Sequence, residues 1–422
     1  MKLYKFQEDA IAKLEGDRHI CRAIVGSGKG AISLYWAKKQ GKPNVLVVST
    51  ASKRDVKDGE GRNDFEREAD LWFPGWRQSL NSFEVISWQG LMKWWAKLPM
   101  KEVHDYAFIF DEVSLAKAGI SSIRGKAFLQ ITNETSCWTG YTATPGDTWI
   151  DFYAYFTATN RVKNKTAFKR DFCQIQTYRG FPEIVGYNNT ELLKKWWGEI
   201  SCEVDTSEML KEMPSSTHKV IEFDRPKGYK KFLDTREHPE TGEFIDTIMG
   251  VCHTARQMCC TKQKLQWVED FVSGLDTRAV LFYNYIEEGN KLEEVCKKVM
   301  HKGAKLWRID GANHDIPTDD TVGEHDIVLC QWTSGSMGLN LQFINYWVSV
   351  SPNYSYSVSE QGRGRIKRIG QERPMFFFYL RCRNSIEEDI YKALKNKSDF
   401  AADVWCEQQG MEGLKNDIDK TL

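Results

Sequence analysis

The sequence carries no net charge, because 58 Lys and Arg residues stand against 58 Asp and Glu in 422 residues. No global field draws such a chain onto nucleic acid or an anionic membrane, so any binding of that kind has to come from a local groove. No stretch approaches the roughly 18 uninterrupted apolar residues that a membrane span needs. The opening Met1-Lys-Leu-Tyr-Lys-Phe-Gln7 is charged and short of apolar residues, unlike a secretory leader. Low-complexity tracts and fixed-period repeats are absent as well. The 11 cysteines follow no paired spacing, which reads as free thiols in a reducing cytoplasm. Cys252, His253, Cys259 and Cys260 form one tight cluster. Without a second paired half it reads as part of a buried helix and not as a zinc site. The expectation is a cytoplasmic protein that does not enter a membrane.

What is present is an ordinary globular composition, 41% hydrophobic and 27% charged, at a length that suggests two or three domains. Short apolar runs recur between stretches of helical character. In the first half they are Ile20–Val25, Val45–Ser49, Ala107–Phe110 and Cys137–Gly140. In the second they are Ala279–Tyr283, Leu306–Ile309, Ile327–Cys330, Tyr346–Val350 and Met375–Leu380. Continuous apolar runs fit strands buried on both faces, hence parallel sheets covered by helices. Two such series predict two α/β domains. Between them, Asn160–Arg170 holds five basic residues and no acid, and Asp234–Gly242 reads as an exposed connection. The residues after Lys397 read as a loosely packed helix or tail.

Four motifs carry chemistry. Ala23-Ile-Val-Gly-Ser-Gly-Lys-Gly30 follows a strand and precedes a helical run. A Gly-containing turn feeding a helix N-terminus presents backbone N–H groups to phosphate, and Lys29 adds positive charge. This P-loop, with Gly26, Ser27, Gly28, Lys29 and Gly30 as candidate nucleotide contacts, has Gly30 where Ser or Thr normally offers a hydroxyl to Mg²⁺. Restoring the hydroxyl with Gly30→Thr is expected to raise Mg²⁺ affinity. Next, Ala107-Phe-Ile-Phe-Asp-Glu-Val-Ser114 ends an apolar strand in two carboxylates, at the sheet edge where open α/β sheets bind ligands. Asp111 is the candidate Mg²⁺ ligand, and Glu112 the candidate base that orients and deprotonates the attacking water. Third comes the Thr-rich turn Trp138-Thr-Gly-Tyr-Thr-Ala-Thr-Pro145. Last is Gln361-Gly-Arg-Gly-Arg-Ile-Lys-Arg-Ile-Gly-Gln371. If that run is helical, Gln361, Arg365 and Arg368 share one face, and the two guanidiniums can serve as arginine fingers.

In this order the four motifs resemble those of superfamily-two helicases, and the last resembles the Swi/Snf branch of double-stranded DNA translocases. The similarity runs from about Leu3 to Lys397. Leu3-Tyr-Lys-Phe-Gln7 resembles the motif whose glutamine reads adenine, which points to Gln7. Ala255-Arg-Gln-Met-Cys259, Val280-Leu-Phe-Tyr283 and Arg308-Ile-Asp-Gly311 resemble the opening helix and first strands of the second motor lobe. Thr333–Leu341 resembles a motif contacting DNA and nucleotide, and Ser385–Tyr391 the closing helix. Thr144-Pro-Gly-Asp-Thr-Trp149 and the compact length are similar to small helicases carried by bacteriophages, which would place the protein in a bacterial host cytoplasm.

The resemblance implies two tandem RecA-like domains, an α/β fold of parallel sheets flanked by helices, with ATP and Mg²⁺ between them. Lobe one would span 1–235, with an inserted basic, partly helical region at about 150–220. Lobe two would span 236–400 and bring the fingers Arg365 and Arg368, leaving 401–422 as a C-terminal tail. Nucleic acid would be held by its phosphates, largely without regard to sequence. Ser49, Thr50, Ser52, Ser87, Thr333 and Ser334 stand where helicases offer hydroxyls to one strand, and Arg161, Lys163 and Lys165 are a candidate second DNA surface. Trp72, Trp76, Trp88, Trp94 and Trp95 alternate with Leu and Phe in a manner that favours core packing over base stacking. The leading reading is an ATP-dependent DNA translocase or helicase in replication or recombination, loaded by a partner protein. A nucleotide-binding clamp with weak hydrolysis, motivated by Gly30, and an RNA helicase stay open beside it.

Overall fold

Val45-Leu-Val-Val48 and Ala107-Phe-Ile-Phe110 are apolar at every position, and every one of these side chains is buried. Strands of this kind need cover on both faces, which parallel sheets with crossover helices supply. The protein, a computed structural model, follows that rule twice. The structure describes residues 3–14, 19–24, 26–55, 60–146, 148–178, 181–206, 211, 213–313, 317–332, 339–411 and 414. They form two units, Met1–Glu212 and Met213–Leu422.

The first unit carries β1 (Ile20–Arg22), β2 (Asn44–Ser49), β3 (Ser82–Ser87), β4 (Tyr106–Asp111), β5 (Trp138–Thr142) and β8 (Ser201–Glu203) in one sheet of order β3-β2-β4-β5-β1-β8. All its pairings are parallel. Helices α1 (Lys5–Lys13), α2 (Lys29–Gln40), α3 (Ala51–Asp55) and α4 (Asp64–Trp72) lie in the first half of this unit. Leu46, Val48, Phe108, Phe110 and Trp138 pack with Phe128 and Ile131 in one core cluster, while Leu34, Ala69 and Phe73 form another. The inserted region contributes β6 (Cys173–Tyr178) and β7 (Phe181–Tyr187), an antiparallel pair outside the main sheet. It also contributes helices whose Tyr153, Phe156 and Phe168 enter the core.

The second unit has the same design. β9 (Ser216–Phe223), β10 (Ala279–Tyr283), β11 (Leu306–Ile309), β12 (Ile327–Gln331), β13 (Tyr346–Ser349) and β14 (Met375–Cys382) order as β11-β12-β10-β13-β14-β9. Every pair is again parallel. Ala279, Leu281 and Tyr283 point into one cluster and Val280 and Phe282 into another, so both faces of β10 are covered. Both units therefore have the parallel, helix-flanked α/β architecture expected from the sequence.

Three boundaries differ from those read from sequence. The division falls at 212/213 and not 235/236, because β9 pairs along its whole length with β14. Asp234–Gly242 is exposed but turns within the second unit. The C-terminal stretch is packed as far as Met411: Trp405 and Cys406 are buried in the second core, and Trp405 Nε1 donates to Asp389 Oδ2 at 3.1 Å. Cys252 and Cys259 belong to that core too, on or beside the helix Ile248–Met258. Among the described residues no helix is long and apolar enough to cross a membrane.

Candidate active site

The loop after β1 turns on two glycines. Gly26 has φ +85° and Gly28 φ +76°, a region that costs other residues about 1–2 kcal/mol. Gly28 starts α2, whose first N–H groups have no partner within the helix and face whatever anion the loop receives. Ser27 is buried and donates to Ile24 O at 2.8 Å, so its hydroxyl holds the turn and does not project from it. Lys29 folds back over the loop, with Nζ 3.4 Å from Ala23 O and 3.6 Å from Glu112 Oε1. Gln7, buried at the start of α1, clamps the same loop. Its Nε2 donates to Ser27 O at 3.1 Å while its Oε1 accepts from Tyr4 N at 3.0 Å. A Cβ on Gly28 would stand 2.4 Å from Gln7 Nε2, so close approach is a second reason for glycine there.

β4 delivers the two carboxylates to the same end of the sheet, with β5 lying between β4 and β1. Asp111 is 3% exposed. Its Oδ2 accepts from Ser49 Oγ at 2.5 Å and Lys53 Nζ at 2.7 Å. Burial pushes this carboxyl up, but the Lys53 ammonium, the hydrogen bonds from Lys53 and Ser49, and the charge of Lys29 together hold it below the usual carboxylate range. Trp88, fully buried, donates from Nε1 to Asp111 O at 2.8 Å and so fixes the end of the strand. Glu112 sits at φ +50°, a costly conformation for a glutamate that turns its side chain toward Lys29. Its Oε2 is buried without a hydrogen-bond partner.

Gly30 opens toward α4. A Cβ there would lie 1.9 Å from Glu68 Oε2 and 2.8 Å from Glu68 Cδ. The added side chain in Gly30→Thr therefore meets a carboxylate, and the simple gain in Mg²⁺ affinity expected from sequence does not follow. Ser33 cannot substitute, since its buried hydroxyl donates to Gly30 O at 2.7 Å. The carboxylate oxygens of Asp111 and Glu68 are of the kind a divalent cation takes as ligands.

In the second unit the reading of Gln361, Arg365 and Arg368 as one helical face does not hold. The helix Tyr356–Arg363 stops at Gly364. Gly362 is required where it is, because a Cβ there would stand 2.6 Å from the Trp332 ring, and its carbonyl accepts from Trp347 Nε1 at 3.2 Å. The two arginines still converge. Arg365 Nη1 and Arg368 Nη1 donate to the single carbonyl of Leu339, at 3.2 and 3.3 Å, and Arg368 also reaches Asn340 Oδ1. Gln361 is half-buried in the last turn of the helix. Gln371 is structural, donating from Nε2 to Ile344 O at 2.8 Å and Ile366 O at 3.3 Å.

The candidate nucleic-acid residues divide. Ser49 is fully buried on Asp111, so its hydroxyl serves the carboxylate and not a surface strand. Ser87 is buried and accepts from Arg54 Nη1 at 3.2 Å, and Thr50 is buried too. The side chain of Ser52, and Thr333 and Ser334 entirely, lie outside the described residues. Arg161 is engaged by Glu199 at 3.0 Å, and Lys163 is exposed. Lys165 donates to Ser121 Oγ at 3.0 Å, and burial with the charge of Lys169 holds its ammonium below the ordinary lysine range. Trp88 is core, and Trp94 and Trp95 pack on the same core, as their spacing predicts. Trp72 and Trp76 flank Tyr35 and Phe73. Lys53, Glu68 and Trp88 join the site without any local sequence signal. The adjacency of β3, β2 and β4 and the packing of α4 on α2 bring them there.

No protein-family model matches the chain. An uncharacterized ATP-dependent helicase of Bacillus subtilis, YqhH, is 26% identical over 178 residues, 40% of this chain and 30% of that protein. The DNA repair and recombination protein RAD54 of Saccharomyces cerevisiae is 24% identical over 146 residues, 33% of this chain and 16% of that protein. The matched region is thus at most 30% of the length of either relative. Among solved structures, the SWI2/SNF2 ATPase core of Sulfolobus solfataricus in complex with dsDNA aligns over 98% of this chain and 94% of that chain, at 13% identity and a TM-score of 0.38.

Proposed function

We propose that the chain is a Swi/Snf-like superfamily-two ATPase, a reading its similarity to YqhH and RAD54 supports, and that it is an ATP-hydrolysing translocase or helicase acting on duplex or forked DNA. The observation that carries this reading is the meeting of Lys29, Asp111 and Glu112 at the carboxyl end of the first sheet. An ATP polyphosphate placed on the first turn of α2 competes with Glu112 for the Lys29 ammonium. As Lys29 turns to phosphate, Glu112 is released to orient the attacking water and take its proton. Asp111, with Glu68 beside Gly30, would hold the accompanying Mg²⁺, which when bound neutralises charge on the β- and γ-phosphates. Arg365 and Arg368 are the groups proposed to stabilise charge on the transferring phosphoryl.

The DNA is read through its phosphates without sequence preference, at local surfaces, since the chain as a whole is neutral. A role in phage or bacterial DNA replication or recombination, in the host cytoplasm and with a partner protein supplying the loading site, is proposed on the resemblance of Thr144–Trp149 to small phage helicases.

The test is ATP hydrolysis with no polymer, duplex DNA, forked DNA, single-stranded DNA and RNA, with Lys29→Ala and Glu112→Gln as controls. Stimulation by duplex or forked DNA that both variants abolish is the expected result. Equal slow turnover in every condition would favour the clamp, and stimulation by RNA alone an RNA helicase.

A further inference from the structure

The P-loop of this chain has no side chain at Gly30, and the space is not empty. Glu68 Oε2 stands 1.9 Å, Cδ 2.8 Å and Oε1 3.1 Å from where a Cβ of residue 30 would be. A carboxylate from α4 thus occupies the volume that a P-loop Ser or Thr side chain fills. Its placement is specified by the helix that carries it. Asn63 caps α4 by accepting from Glu66 N at 3.0 Å, and Glu66 Oε2 accepts in return from Asn63 N at 2.8 Å. Phe65 and Ala69, on either side of Glu68 along the same face, are buried, and Ala69 packs with Leu34 of α2. The other acids of α4 have surface tasks, Asp64 pairing with Arg67 at 2.8 Å and Asp70 with Arg77 at 2.8 Å. Glu68 is the acid that the helix directs at the P-loop.

We propose that Glu68 supplies the oxygen ligand that this P-loop lacks at Gly30, so that the divalent cation accompanying the nucleotide is held by a carboxylate of α4 in place of a hydroxyl of α2. The substitution has an electrostatic consequence. A hydroxyl is neutral, whereas a carboxylate at the start of α2 is favoured by the helix N-terminus only while no other anion is there. When a polyphosphate arrives, the two anions repel unless a cation stands between them. Nucleotide binding is therefore conditional on the metal, more strongly than in a P-loop that ends in a hydroxyl.

The inference rests on the nucleotide-site reading, and one titration series separates the two. Affinity for the β,γ-imido analogue of ATP is measured with Mg²⁺ and again with EDTA, in the wild type, Lys29→Ala and Glu68→Gln. Direct Mn²⁺ binding to the analogue complex is followed by electron paramagnetic resonance. Glu68→Gln keeps the shape and removes the charge. It is expected to bind the analogue more tightly in EDTA and less tightly with Mg²⁺, narrowing the ratio of the two affinities about tenfold or more, with Mn²⁺ affinity falling by about 10–100-fold. The double variant Gly30→Thr/Glu68→Ala, which returns a hydroxyl to the vacated space, is expected to recover most of the Mn²⁺ affinity. An unchanged affinity ratio and unchanged Mn²⁺ binding in Glu68→Gln overturn the proposal while leaving the nucleotide site standing. A wild type that binds no analogue in either condition, or binds it as well after Lys29→Ala, removes the site and this proposal together.

Discussion

Lys53 Nζ lies 2.7 Å from Asp111 Oδ2, so the buried carboxylate expected to receive a divalent cation is already matched by an ammonium. The two residues are far apart in sequence and meet because β2 pairs with β4 in a register that sets Val48 beside Phe110. Ser49 then stands next to Asp111, and the first turn of α3 brings Lys53 over it. A cation arriving at Asp111 has to displace or share this contact.

Removing the ammonium with Lys53→Met leaves a buried carboxylate with Ser49 as its remaining hydrogen-bond donor among the contacts described. The expected loss at pH 7 is about 3 kcal/mol in urea unfolding. The sign of the pH dependence follows from the direction of the shift. In the wild type the Asp111 carboxyl is held low, so its contribution is present above the unfolded carboxyl value near about 3.9 and is lost as pH falls through the folded value. In the variant burial dominates and the carboxyl rises, so its contribution is largest in acid and is lost as pH climbs. The stability gap between the two proteins should be wide at pH 7 and should close toward pH 4. A gap that stays constant with pH would show that the lysine acts through packing alone.

Contiguous motifs made the candidate nucleotide residues legible in sequence, because a P-loop and an Asp-Glu strand end carry their proposed chemistry within a few residues. Lys53 and Glu68 were not legible, since each matters only through a partner brought by sheet order or helix packing. The helical face of Gln361, Arg365 and Arg368 followed from periodicity, but the helix ends at Arg363 with Gly364 as its cap, before either arginine. The strands recognised in advance carry continuous apolar runs, most of them buried throughout, as in β2, β4, β10 and β12. β3 and β9 sit at sheet edges, half-buried and largely exposed, and their mixed Ser-Phe-Glu-Val-Ile-Ser and Ser-Thr-His-Lys-Val-Ile-Glu-Phe sequences lack the continuous apolar signal.

Arg365 and Arg368 share the Leu339 carbonyl, and this fixes how they should behave when removed. Arg365→Ala and Arg368→Ala are each expected to lower DNA-stimulated ATP hydrolysis by about 10³ or more while leaving nucleotide affinity within a few-fold, the pattern of a group needed in the transition state. Lysine is not expected to rescue either position, because a point charge cannot donate to the carbonyl and a phosphate oxygen in the guanidinium's fixed geometry. Single-turnover hydrolysis beside equilibrium nucleotide binding distinguishes this from general damage, which would weaken both.

The second unit has a stability device of its own. Lys264 and Glu387 are each 1% exposed and meet at 2.6 Å, with Lys264 Nζ also donating to Val350 O at 2.9 Å and Glu387 Oε2 accepting from Cys382 N at 2.9 Å. Burial raises the Glu387 carboxyl and disfavours the charged lysine. The attraction of the carboxylate nonetheless holds Lys264 above its ordinary range. Lys264→Met is expected to cost about 3–5 kcal/mol, because it strands a buried carboxylate. Lys264→Met/Glu387→Gln should recover much of that loss, since the remaining groups are neutral. Equal destabilisation in the single and double variants would mean that the lysine's bond to Val350, and not the ion pair, is what the fold needs.

In a chain of zero net charge the proposed DNA binding rests on a few named cations, and the basic stretch after the Thr-Ala-Thr-Pro turn offers a direct comparison between two of them. Arg161 is occupied by Glu199 at 3.0 Å, whereas Lys163 is exposed. A guanidinium already paired has to exchange one anion for another to reach a phosphate, and it gains little from doing so. An exposed lysine gains the release of a condensed counterion. Lys163→Ala is therefore expected to weaken duplex binding and to reduce the slope of log K against log salt concentration by about 1, and Arg161→Ala to leave that slope nearly unchanged. Fluorescence anisotropy titrations over a series of salt concentrations measure both. Identical slopes for the wild type and Lys163→Ala would remove this stretch from the DNA path. A reduced slope for Arg161→Ala would mean that Glu199 gives up its partner when the duplex binds.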